Sequence, residues 1–260
     1  MKCKEIYETL LKQMPLEYAC DCDNPGFLVG RSDSDIKKIV TALDATDEVI
    51  DMAIEIGAQL IVSHHPLLFH PAKNVTDDTL VGRRILRLAR HNICLICMHT
   101  NYDVAPGCMA DIAAKKLGIT KAEPLEITQY LGKKPIGIGK IGILSKAYKL
   151  DEFLGHVKSA FGLPFVEVYG KVQSIKRVAI CPGSGSGMLE HCKEKKADVF
   201  IAGDISHHEG IDGAAYGICV INAGHYGTEH LFIKDMADRL RKIGKLEVAE
   251  FPITFPSVIS

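Results

Sequence analysis

His64 and His65 stand side by side in Ser63-His64-His65-Pro66, after the apolar run LIVS, and the pair returns as Ser206-His207-His208-Glu209 after VFIA. Two more polar runs follow apolar stretches: HTNYD, His99 to Asp103, and GHYGTEH, Gly224 to His230. Imidazole with carboxylate suits zinc, iron, manganese or nickel, whereas calcium or magnesium would call for oxygen alone. His225 and Glu229 lie at i and i+4 where a helix starts, so both can face one point. His99 and Asp103 share that spacing, but TNYD reads as a turn and leaves their geometry open. Adjacent His64 and His65 could not share one ligand direction inside a regular strand; at a strand's end they can serve two neighbouring metals. Each residue alone has a plainer reading. A histidine after a strand is more often a turn or core residue, Asp103 fits an Asx turn, and Glu229 fits a first-turn helix acid. Gathered at several strand ends, the set points to a metal site.

The elements that must position these residues alternate. Apolar spacing predicts a helix over residues 3–14, closed by Pro15. IKKIVTALDA then reads as a strand, TDEVIDMAIEIG as a helix, AQLIVS as a strand, TLVGRRILRLARHN as a helix, ICLICMH as a strand and MADIAAKKLG as a helix. Such alternation implies parallel pairing in a layered α/β domain. In open parallel sheets ligands bind outside the carboxyl ends of strands, where all four polar runs fall. The pattern breaks at residues 123–139, EPLEITQYLGKKPIGIG, whose Pro and Gly content reads as a domain crossing. A second α/β unit follows, and a long helix over TEHLFIKDMADRLRKIG with the strand EVAEFPITF closes the chain. KKADVFIAGDISHHE loosely echoes IGAQLIVSHHP, a hint of two related halves.

Composition excludes several classes. With 31 basic and 32 acidic residues among 260, no global field draws nucleic acid or an anionic membrane. No apolar run approaches the ~18 residues of a membrane span, and the amphipathic start is unlike a signal peptide, so a cytoplasmic protein is expected. Nine cysteines, an odd number in a large chain, are expected as thiols. The one CxxC, Cys94 and Cys97, sits in a strand-like run where i and i+3 face opposite sides, so core residues are expected there rather than a zinc knuckle. CPGSGSGM, Cys181 to Met188, could cradle a phosphate with its amides but matches neither the P-loop nor GxGxxG, and a plain Gly-rich turn reads as well.

DNPGFLVG (Asp23 to Gly30), SHHPLLF, HTNYDVAPGCMAD, CPGSGSG, GDISHHE and GHYGTE, in this order, resemble the NIF3-like family, also called GTP cyclohydrolase 1 type 2 homologues. The resemblance implies two related α/β domains, the second inserted into the first: residues 1–124 and 222–260 form the first, with most of the metal ligands, and 125–221 the second. It implies a toroidal homohexamer with two divalent metal ions per chain. Carried over by position, the ligands are His64, His65, Asp103, His225 and Glu229. Glu229 bridges, His64 and Asp103 serve one metal, and His65 and His225 serve the other. His99 is a further ligand or a partner that orients Asp103. The family's GDISHHE motif supplies pocket wall, so Asp204, His207 and His208 are expected as catalytic groups beside the metals, His208 as general acid or base or, alternatively, as a hydrogen-bonded structural residue.

Two neighbouring metals imply a bridging water of lowered pKa and a pair of Lewis acids, hence hydrolysis. The expected function is a metal-dependent hydrolase acting on a nucleotide-like or phosphorylated small molecule. The alternatives are a non-catalytic metal-binding or metal-delivery protein, a ring-shaped interaction hub, and a ring threading nucleic acid, which the balanced charge disfavours.

Overall fold

A computed structural model describes residues 1–256; residues 257–260 of the expected first domain lie outside the described part. Contacts divide the chain into two compact units. Unit 1 comprises Met1–Ala105 and Phe232–Thr254; unit 2 comprises Pro106–Leu231 and, among the described residues, Phe255 and Pro256. Unit 2 is thus inserted in the sequence of unit 1. The crossings differ from the expected 124/125 and 221/222. The helix after residue 106 packs on the sheet of unit 2, and His225 and Glu229 belong to unit 2.

The first stretch of unit 1 contains α1 (Cys3–Leu11), β1 (Gly26–Val29), β2 (Lys38–Ala42), α2 (Asp47–Glu55), β3 (Leu60–Ser63), α3 (Leu80–Arg90), β4 (Cys94–Cys97) and α4 (Thr100–Val104). Unit 2 follows with α5 (Met109–Lys116), β5 (Thr120–Leu131), β6 (Lys134–Tyr148), α6 (Leu150–Phe161), β7 (Glu167–Tyr169), β8 (Ile175–Cys181), α7 (Leu189–Glu194), β9 (Val199–Ala202), α8 (His207–Ala215), β10 (Cys219–Asn222) and α9 (His225–Glu229). From Phe232 onward, α10 (Leu231–Ile243) and β11 (Glu247–Glu250) return to unit 1.

In unit 1 the sheet order is β1-β4-β3-β2-β11, parallel except for β1. The strands β3 and β4 are buried throughout, as strands covered on both faces must be. Thr46 starts α2 by accepting a hydrogen bond from Val49 N, and Thr79 starts α3 by accepting one from Gly82 N. Buried Thr41 on β2 donates through Oγ1 to Ile233 O at 2.9 Å, which ties α10 to this sheet. Cys97 Sγ donates to His64 O, and burial pushes its thiol well up, as suits a core cysteine rather than a zinc ligand.

The sheet of unit 2 runs β5-β6-β8-β9-β10-β7, with β8, β9 and β10 parallel. Residues 123–139, expected as an irregular crossing, form most of a long β5–β6 hairpin. Gly132 (φ +60°) opens its two-residue turn. Pro124 is tolerated because β5 is an edge strand. A β-carbon on Gly137 would stand 1.9 Å from Glu126 O, so the glycine there admits a close partner strand. The long closing helix divides, with α9 ahead of α10. The helix α8 begins with a capping box: Ser206 Oγ accepts from Glu209 N, and Glu209 accepts from Ser206 N at 3.0 Å. Among the described residues, no helix is long and apolar enough to cross a membrane.

Candidate metal centre

In unit 1, β3 ends at Ser63 and the chain turns out of the ladder, with His64 N and His65 N both donating to Leu43 O. That turn frees the two adjacent imidazoles from opposite-face alternation. Their ring centroids lie 5.0 Å apart, and His99, at the N-terminal cap of α4, lies 5.2 Å from His64 and 5.5 Å from His65. The three offer nitrogen atoms within 4.8 Å of one another. HTNYD is therefore a helical turn rather than an open one, and Asp103 on it brings Oδ1 to 3.6 Å from His64 Nε2.

What orients these rings lies on their other side. His64 Nδ1 donates to Met98 O at 2.8 Å, His65 Nδ1 to Asp44 Oδ1 at 2.8 Å and His99 Nδ1 to Asp23 Oδ1 at 2.7 Å. A carbonyl or ionised carboxylate only accepts, so each partner keeps the proton on Nδ1 and leaves Nε2 as the lone-pair donor a metal needs. His64 is fully buried, with Tyr102 and Phe232 packed edge-on to one another beside it and Tyr102 Oη anchored to Asp235. Asp23 also accepts from Thr100 N at 3.1 Å. Burial raises the Asp23 carboxyl, but hydrogen bonds from His99 and Thr100 outweigh it and bring it down to about 2. It is a carboxylate at any ordinary pH.

Unit 2 repeats the device. At i and i+4 on α9, His225 Nε2 lies 2.9 Å from Glu229 Oε2, and His225 Nδ1 lies 2.6 Å from Asp204 Oδ2. Glu229 is buried, so its charge needs this partner. The Gly-rich loop after β8 supplies the room: a β-carbon on Gly183 (φ +75°) would stand 2.0 Å from Glu229 Oε1. Gly183 N donates to Thr228 Oγ1 and Gly187 N–H to Glu209, so this loop spends amides on its own framework.

The expected site residues thus fall into groups within their own units. Unit 1 brings together His64, His65, His99 and Asp103; unit 2 brings together Asp204, His225 and Glu229. His207 and His208 are exposed on the first turn of α8, their rings 5.6 Å apart. Asp23 and Asp44 were not assigned from sequence. Asp44 stands two residues past the end of β2, so the strand-end rule that found the other clusters also reaches it.

A family model, Duf34/NIF3 (NGG1p interacting factor 3), matches residues 1–257. A Clostridium perfringens protein named GTP cyclohydrolase 1 type 2 homolog is 33% identical over 247 residues, covering 93% of this chain and 92% of its own. One of the same name from Methanocaldococcus jannaschii is 31% identical and covers 95% and 98%. Among solved structures, a Bacillus cereus protein related to NIF3 superposes with TM-score 0.93 over 100% of this chain and 99% of its own, at 22% identity. Reduced HcgD from M. jannaschii gives 0.82 at 31% identity, covering 95% and 96%.

Proposed function

Because this chain belongs to the Duf34/NIF3 family, we infer that it is a dinuclear metal-dependent hydrolase acting on a nucleotide-like or other phosphorylated small molecule. The observation that carries this reading is the trio His64, His65 and His99, each clamped at Nδ1 and presenting Nε2. The donor set fits zinc, iron, manganese or nickel. The proposed ligands are those expected from the resemblance: His64, His65, His99 and Asp103, with His225 and Glu229. The relatives' name, GTP cyclohydrolase 1 type 2 homolog, supports hydrolysis as the reaction class.

Bound metal of this kind supplies Lewis acidity and lowers the pKa of water. The chain's own groups do the rest. Met98 O, Asp44, Asp23 and Asp204 hold the four imidazoles in one tautomer. Tyr102 and Phe232 keep water from the face of His64. Asp204 acts as a positioning residue through His225, while His207 and His208, open to solvent, are assigned the exchange of protons with bulk water. The resemblance supports a toroidal homohexamer.

The test is elemental analysis of untagged protein, sedimentation, and turnover of a nucleotide panel with metal loading confirmed. Two metals per chain, with turnover lost in Glu229→Gln, is the expected result. A fully loaded chain inert across the panel would replace the hydrolase by a metal-delivery protein or interaction hub.

A further inference from the structure

At the β7 edge of its sheet, unit 2 carries a cavity of about 970 Å³, within the size range of small-molecule sites. It opens where β9 and β10 end, the position at which parallel strands present ligands. Three aromatic side chains line it: Phe165, 45% exposed, with Tyr226 and Phe255, whose rings meet at 5.5 Å and 62°. Its other polar side chains are Glu167, Asn222, Asp204 and His225, and among the described residues no Lys or Arg lines it.

That chemistry selects an occupant. A phosphate or carboxylate set against the aromatic walls would meet the Glu167 carboxylate, with no lysine or arginine among the described lining residues to offset it, so the anionic end of a ligand is disfavoured at that wall. Aromatic walls accept a flat ring by stacking. On β7, paired with β10, Glu167 accepts from Tyr169 Oη at Oε1 (2.8 Å) and from Asn222 Nδ2 at Oε2 (3.3 Å). These contacts hold the carboxylate in place, and each oxygen retains a second acceptor site. A fixed carboxylate with two vacant acceptor sites matches two adjacent N–H donors on one edge of a ring.

We propose that this cavity binds a planar nitrogen heteroaromatic ring, stacked on Phe165, Tyr226 and Phe255, whose amino-amide edge donates two hydrogen bonds to Glu167. Asp204 and His225 line the same cavity, so the ring is the recognition group of the substrate; that role rests on the hydrolase reading, whereas the binding does not.

Isothermal titration of the full chain with guanosine, inosine, adenosine and inorganic pyrophosphate tests it. Guanosine, with both donors, should bind about tenfold or more tighter than adenosine, with inosine between and pyrophosphate not competing. Glu167→Gln should abolish most of the guanosine preference. Phe165→Ala, at an exposed position, should weaken guanosine and adenosine alike by about tenfold, with circular dichroism showing both variants folded. Guanosine affinity unchanged in both folded variants, or no guanosine binding by the native chain, would overturn the assignment. Metal-dependent turnover unaffected by Phe165→Ala would overturn the ring's role in recognition, while Glu167-dependent guanosine binding without any turnover would uphold the cavity and sink the hydrolase.

Discussion

A β-carbon on Gly183 would stand 2.0 Å from Glu229 Oε1, and the Gly183 backbone (φ +75°) is one that side-chain-bearing residues rarely adopt. The Gly-rich loop is thus the mould of a buried carboxylate. Gly183→Ala must strain its backbone and displace Glu229, at an expected cost of roughly 2 kcal/mol in urea unfolding. Metal content by elemental analysis should fall with it, whereas Gly187→Ala, which meets nothing within 4 Å, should keep its metal while suffering only the backbone strain.

Asp23 is the second case. In Asp23→Asn one terminal atom becomes a donor aimed at His99 Nδ1–H or Thr100 N–H, both donors. The ring of His99 loses its orienting carboxylate while its Nε2 is chemically untouched. Chelator competition should show metal affinity lowered about 10- to 100-fold in a folded protein. Affinity equal to that of the native chain would show that His99 takes no part in binding.

Ser206 and Glu209 predict a separation of stability from metal binding. Ser206→Ala removes the cap of α8 and should cost about 1 kcal/mol. Elemental analysis of the same variant should find native metal content.

Asp47, in the first turn of α2, gathers Arg84 and Arg87 of α3, at 3.3 and 2.9 Å, with Arg83 at 3.6 Å. Burial raises its carboxyl, but the three guanidiniums prevail and hold it below the usual carboxylate range. A folded-state pKa below the unfolded one contributes stability that is present in full above the unfolded value, near 4, and is lost as pH falls through the folded value. Asp47→Asn should therefore destabilise by on the order of 0.5–1 kcal/mol at pH 7, solvent screening keeping it small, and the difference from the native chain should vanish in acid. Urea titrations at several pH values read this directly.

The repeated Ser-His-His shows where local pattern misleads. The first copy ends a buried strand and delivers two imidazoles into a cluster; the second is the start of a capping box, Ser206 to Glu209, and its two histidines face water. Three letters are shared, but the fourth, Pro66 against Glu209, sets the geometry. The signature Ser-x-x-Glu stood in the sequence and was legible as a helix start. Residues 123–139 misled in the other direction. Their glycines and prolines read as irregular chain, yet Gly137 is there because Glu126 O comes so close, a fact of strand pairing that no single-strand periodicity contains.

By itself the sequence determined the alternation of strands and helices and the kinds of ligand at strand ends, because periodicity, caps and polar punctuation act within a few residues of one another. It determined that His225 and Glu229 face one point, since one helical turn separates them. Only the tertiary structure decided that Asp23 would clamp His99 from 76 positions away, that Asp44 would clamp His65, and that a glycine loop would shape the space of Glu229. Those relations depend on which segments the sheets bring side by side, and hydrogen-bond partners so far apart in the chain leave no mark on local periodicity.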